Sequence, residues 1–146
     1  MALATLTIIT VVCTALLPGF AGPVLATSMG AAAVLMFAAP ESPLASHWAF
    51  VGGNLVSAVI GVSVFLVAGG ASWSGGLAVG LSILAMHLLR CQHPPGGATA
   101  LMAVLGGPGV HQLGYGYVLA PIGLNILIFE AFVLAHRWLL NRKNST

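Results

Sequence analysis

Residues 90–101 read RCQHPPGGATAL, with a histidine, two prolines and two glycines set in an otherwise apolar sequence. No plain membrane helix runs through them. Pro94 and Pro95 carry no backbone N–H, and each disfavours helix in the residue before it. From Gly96 onward, GGATALMAVL is compatible with helix again. The run is read as a break followed by a short helix that starts at the prolines, where a missing donor costs least. Gly96 and Gly97 would then present bare backbone N–H groups at the positive end of that helix, a natural anion site.

The break lies in a chain that suits no soluble fold. Of its 146 residues 59% are hydrophobic and 4% are charged, and the mean hydropathy is +1.06. A soluble domain carries roughly 25% charged residues, so this is read as a polytopic membrane protein. A net charge of +2 with no aspartate leaves little to repel an anion. Cys13 and Cys91 sit in or beside apolar runs and are expected to pack as small hydrophobes rather than pair. The apolar stretch Met1 to Leu17 has no basic residue before it and is read as a retained helix, not a cleaved signal.

In order, Ala2 to Leu17 is the first expected helix, its 16 residues spanning about 24 Å. Pro18 to Pro23 breaks it. Thr27 or Ser28 is an N-cap candidate for a short helix through Met29 and Gly30 to Ala39, about 18 Å long and half a membrane. Trp48 to Ala68 is a full span. Ala49, Gly53, Ser57 and Gly61 recur on it every four residues, a stripe for close helix packing, and Asn54 lies beside the stripe as polar glue or pore lining. Trp73 is an interface anchor candidate. The span from there to about Leu89 contains Gly76-x-x-x-Gly80, a second packing motif. The short helix from Pro94 ends near Leu105. His111 is expected in a solvated turn, and Tyr115 and Tyr117 in an interface belt. The last span, about Val118 to Leu139, is interrupted by Pro121 in its first turn and ends among Arg137, Arg142 and Lys143.

The expected fold is all-α: four long transmembrane helices plus two short half-membrane helices. They form two helix/short-helix/helix pseudo-repeats, about 1–68 and 72–140, within a single transmembrane domain covering 1–146. Gly30-Ala31-x-Ala33 matches Gly97-Ala98-x-Ala100 at an offset of 67. Paired interrupted segments in two halves point to a transporter site near the bilayer midplane. Four crossings would make the halves parallel. Six would make them inverted and, with the C-terminus cytoplasmic, put Arg90, Arg137, Arg142 and Lys143 all inside. The inverted arrangement is favoured, in a bacterial inner membrane.

His-Pro-Pro followed by GGATAL resembles the signature of the HPP family of integral membrane proteins. GAAAVLMFAAPESPLA (30–45), VGGNLVSAVIGV (51–62), LAVGLSILAM (77–86) and GYGYVLAPIGLNILI (114–128) agree in order, so the resemblance covers nearly all the chain from about Leu25. Plastid and cyanobacterial members are associated with nitrite transport, and some members carry soluble regulatory domains after the membrane part. The resemblance implies a transporter or channel for a small anion, nitrite first. Where members commonly show Pro-Phe-Gly this chain has Ser28-Met29-Gly30, and Ser46-His47-Trp48 departs from the family's pattern.

Within that reading His93 would hydrogen-bond the anion or supply a proton, its usual pKa near 6.5 suiting both; otherwise it caps backbone carbonyls. The Thr99 hydroxyl would face the substrate or bond back to the preceding turn. The backbone of Gly96, Gly97 and Gly30, with Ser28 and Met29 as first-half counterparts and Asn54 and Asn125 as cavity-lining amides, completes the expected substrate site. Pro94 and Pro95 make the break. Glu130, the one acidic residue in an apolar run, would couple protons together with His93, or pair with His87, His136 or Arg137. Cys91, His93 and His87 lack the spacing and the fourth ligand of a zinc site, so no metal is expected. No catalytic set, cofactor or nucleic-acid partner is expected either. The partners are the anion, the bilayer and further copies of the chain, most simply in a dimer. The alternative is a membrane-embedded sensor or scaffold that signals to a soluble regulatory partner.

Overall fold

The computed structural model of the protein describes residues 1–16 and 22–144. Its helices are α1 (Ala2–Leu16), α2 (Gly22–Ala38), α3 (His47–Ala68), α4 (Ser74–Leu88), α5 (Pro94–Leu105), α6 (Pro108–His111) and α7 (Leu124–Asn144). A 3-10 turn, Pro43–Ala45, precedes α3, and a π-helical stretch, Val118–Gly123, leads into α7. No strand occurs among the described residues.

Local chemistry sets most of these boundaries. The Ser46 hydroxyl accepts from the Ala49 N–H and caps α3, and α3 ends where Gly69 turns left-handed at φ 61°. α5 starts at Pro94 with His93 as its cap, as the prolines dictate. Pro121 has no N–H to give and holds Ala120 extended, at φ −139° and ψ 116°, so the last span is broken there.

Two elements differ from expectation. α2 begins at Gly22, not near Thr27, because Pro23 as its second residue needs no donor and is tolerated. Its 17 residues cover about 25 Å, more than half a membrane, and Ser28, Met29 and Gly30 lie inside it rather than at its start. α4 has 15 residues, about 22 Å, less than a full span. Two helical segments, His47–Ala68 and Val118–Leu139, are long and apolar enough to cross a membrane by length and composition. The break expected at 18–23 falls, up to residue 21, outside the described residues.

α3 is the axis of the packing. A Cβ on Gly53 would stand 2.6 Å from His93 Cβ, and one on Gly61 would stand 2.6 Å from the Ala100 carbonyl. The small-residue stripe is thus what lets α5 lie against α3, and the order of contacts makes the two helices parallel. Gly75, early in α4, meets Leu101 of α5, so α4 runs opposite to both. Tyr115 OH lies 2.9 Å from Ser63 Oγ and Glu130 pairs with His47, so α7 also runs opposite to α3. Ala38 and Ala39, at the end of α2, share a groove with Pro94 and Pro95. α2, α4 and α7 therefore all run toward the end of the bundle that holds His47.

The second glycine motif behaves differently: among the described residues nothing lies within 4 Å of a Cβ on Gly76 or Gly80. Spacing predicts a packing face there, and the face points out of the chain. The core is built from Phe50, Phe129, Met29, Met36 and Ile122, all at most 2% exposed. Leu3, Val67, Leu119 and Leu127 are more than 70% exposed, the reverse of a water-facing surface.

Candidate functional site

His93 is fully buried. Its Nδ1–H donates to the Leu44 carbonyl at 3.0 Å, since a carbonyl can only accept. The neutral ring then carries a lone pair at Nε2, and that atom is buried with no partner among the described residues. The Phe50 ring meets the imidazole edge-on at 5.3 Å. A cavity of about 360 Å³ lies beside it, with His93, Pro94 and Gly97 on one wall and Val79, Ile83 and Met86 of α4 on the other.

The helix start differs from the expected cradle of bare amides. The Gly96 N–H donates to the His93 carbonyl at 2.8 Å. Gly97, fourth in the helix, lines the cavity beside the His93 ring. Gly30 sits within α2, so its N–H does not mark a helix start. What remains at the break is the positive end of the helix dipole, an apolar wall and the His93 ring.

Thr99 and Asn54 come together, both fully buried. The Thr99 hydroxyl donates to Asn54 Oδ1 at 2.7 Å, and Asn54 Nδ2 donates to the Phe50 carbonyl at 2.9 Å. Thr99 thus bonds across helices, neither to the preceding turn nor into the cavity. The Tyr117 hydroxyl donates to the Thr99 carbonyl at 3.0 Å, and Tyr117 is 1% exposed, so it belongs to the core rather than to an interface belt; Tyr115 is half exposed. His111 is not a free turn residue: its Nε2–H donates to the Val104 carbonyl at 2.9 Å and its ring stacks on Phe65.

Asn125 lies elsewhere, against α1, where its Oδ1 accepts from Cys13 Sγ at 3.0 Å. Ser28 and Met29 are buried in α2, and among the described residues nothing lies within 4 Å of a Cβ on Gly30. Glu130 pairs with none of the partners expected of it directly. Its Oε2 accepts from His47 Nδ1 at 2.5 Å, while Arg137 Nη1 donates to His47 Nε2 at 2.8 Å. His47 therefore bridges a carboxylate and a guanidinium and joins the start of α3 to α7. The sequence marks His47 only as a departure from the family's pattern and not as a bridge, because its partners lie 83 and 90 residues away; Leu44 is not legible at all, because nothing in a side chain marks a main-chain acceptor.

An all-helical bundle with outward leucines, a broken helix and a buried polar centre has the features of an integral membrane protein. The family follows from comparison: the model described as HPP, transmembrane region, matches residues 1–145, and the chain belongs to that family. Two transmembrane proteins of Dictyostelium discoideum are similar to it. One is 40% identical over 119 residues, 76% of this chain and 41% of that protein. The other is 42% identical over 99 residues, 65% of this chain and 32% of that protein. The chain thus spans less than half the length of these relatives. No solved structure matches it.

Proposed function

We propose that the protein transports a small weak-acid oxyanion, nitrite above all, across the membrane together with a proton, with His93 as the group that meets both. The observation that carries this reading is the buried His93 ring beside a cavity, its Nδ1–H held by Leu44 and its Nε2 unpartnered. A neutral ring offers a lone pair, which repels a bare anion and accepts a proton. Once protonated, Nε2–H donates to an anion oxygen while Nδ1–H stays on Leu44. An apolar wall disfavours an unpaired charge and so favours the anion arriving with its proton. No fixed cation lines this cavity among the described residues, which permits release.

The six-crossing, inverted-repeat plan accompanies this reading. α2 runs opposite to its counterpart α5, and α3 opposite to α7, as inverted halves require. Arg90 follows Leu89, whose carbonyl accepts from Trp48 Nε1, and Arg137 touches His47. Both arginines thus lie at one end of the bundle, which the positive-inside tendency makes cytoplasmic, in the plasma membrane of a bacterium. The outward Gly76–Gly80 face favours a homodimer through α4. We assign no enzymatic activity. The test is anion uptake into proteoliposomes holding the purified protein, with nitrite, nitrate, formate and chloride compared. Nitrite uptake above empty vesicles and above the other anions supports the transporter. Saturable nitrite binding without flux of any anion would leave a membrane sensor instead.

A further inference from the structure

A second cavity, about 220 Å³, opens at the His47 end and is lined by Pro43, Leu44, Ala49, His87, Arg90 and Gln92. Leu44 and Gln92 also line the His93 cavity, so the two spaces adjoin across these two side chains. The outer cavity carries donors. Gln92 Nε2 donates to His87 Nδ1 at 2.8 Å, so a neutral His87 holds its proton on Nε2 and can donate. Arg90 adds a guanidinium, and no carboxylate is among the described lining residues.

Arg90 stands where a glycine is expected. α4 closes with the Cys91 N–H on the Met86 carbonyl at 2.9 Å and the Arg90 N–H on the His87 carbonyl at 3.2 Å. These are the two bonds of a Schellman cap, whose left-handed residue is usually glycine. Here that residue is Arg90, at φ 53°, a conformation that costs a side chain about 1–2 kcal/mol. Backbone outliers of this kind gather at functional sites. A cation at a helix C-terminus gains something from the dipole, but a lysine at a relaxed position would gain as much. The left-handed backbone fixes the direction in which the Arg90 side chain leaves the chain, beside the outer cavity that Arg90 lines.

We propose that the outer cavity is an anion-capture site: a small monovalent oxyanion, still partly hydrated, pairs with Arg90 there before passing Leu44 and Gln92 to reach His93. The proposal rests on the transport reading and extends it to the entry step. Because Arg90 is exposed, its pull is screened by salt over about 10 Å at 0.1 M, so it acts on capture and not on passage.

The experiment measures initial rates of nitrite uptake for wild type, Arg90→Gly, Arg90→Asn and Arg90→Lys at low and high salt, with thermal midpoints. Glycine and asparagine both suit the left-handed backbone, so neither lowers the midpoint. Both raise KM about tenfold at low salt with kcat unchanged, and the gap from wild type closes at high salt; lysine restores most of the wild-type KM. An unchanged KM in both uncharged variants, or a loss confined to kcat, overturns capture while leaving transport standing. Absence of nitrite uptake by wild type sinks the transport reading instead. Nitrite binding to the purified protein then decides: binding by wild type that Arg90→Gly loses keeps the capture site, and equal binding, or none by either, overturns it.

Discussion

The Nδ1–H of His93 and the carbonyl of Leu44 lie 3.0 Å apart, and this one bond ties the start of α5 to the turn before α3. It also fixes the tautomer of a ring whose other nitrogen has no partner among the described residues. His93→Gln keeps a side-chain amide of similar length, with its N–H near the position of the ring Nε2, but cannot take up a proton at ordinary pH. The variant folds, with a thermal midpoint near that of wild type, while nitrite uptake falls at least about tenfold, or 1.4 kcal/mol, and its pH dependence flattens. A variant that transports with the wild-type pH profile removes His93 from the path.

Thr99 and Asn54 are a brace between α5 and α3 rather than ligands. Thr99→Val removes the hydroxyl and leaves Asn54 Oδ1 without its donor at a fully buried position. Interhelical hydrogen bonds in membrane proteins are worth about 0.6–1.7 kcal/mol. The thermal midpoint in detergent therefore falls, and the KM for nitrite stays put. A KM change with no loss of stability would make Thr99 a ligand after all.

The glycines divide into two kinds. Gly61→Ala forces a Cβ to 2.6 Å from a carbonyl and 2.7 Å from Ala103 Cβ, contacts that only a backbone shift relieves. We expect a loss of about 1–3 kcal/mol, seen as a lower midpoint and poor expression. Gly76→Ala and Gly80→Ala meet none of the described residues and keep the monomer fold, with a gain of up to about 1 kcal/mol in helix propensity. Gly80→Leu separates the copies if α4 is the dimer face, which mass measurement in detergent reads directly.

His47 and Glu130 form a clamp between α3 and α7, and Arg137 holds the other side of the His47 ring. In a double-mutant cycle on thermal stability, His47→Phe and Glu130→Gln are expected to couple by about 0.5–3 kcal/mol. Glu130→Gln leaves the pH dependence of uptake as in wild type. A flattened profile in Glu130→Gln would give the carboxylate a part in proton movement.

Much of this was legible in the chain. The four-residue spacing of Ala49, Gly53, Ser57 and Gly61 gave the face that packs, and Pro94-Pro95 gave the start of α5, because each rule is local. The start of α2 was not legible, since Pro23 is tolerated inside a first turn and the apolar residues on either side are alike. Gly76 and Gly80 show a packing face but not whether the partner is this chain or another. Tyr117 reads as an interface residue until its hydroxyl finds the Thr99 carbonyl. The bare amide expected at Gly96 failed on a short-range effect: the cap carbonyl of His93 takes the Gly96 N–H. The pairing of His47 with Glu130 spans 83 residues, beyond any local rule.

The central claim is that nitrite and a proton move together past His93. Its most direct measurement is nitrite accumulation in liposomes of wild-type and His93→Gln protein under an imposed inward proton gradient. Wild type should concentrate nitrite above the level of protein-free vesicles and lose the excess when the gradient is collapsed, and His93→Gln should match protein-free vesicles throughout. Accumulation by wild type that ignores the gradient, or equal accumulation by His93→Gln, would contradict it.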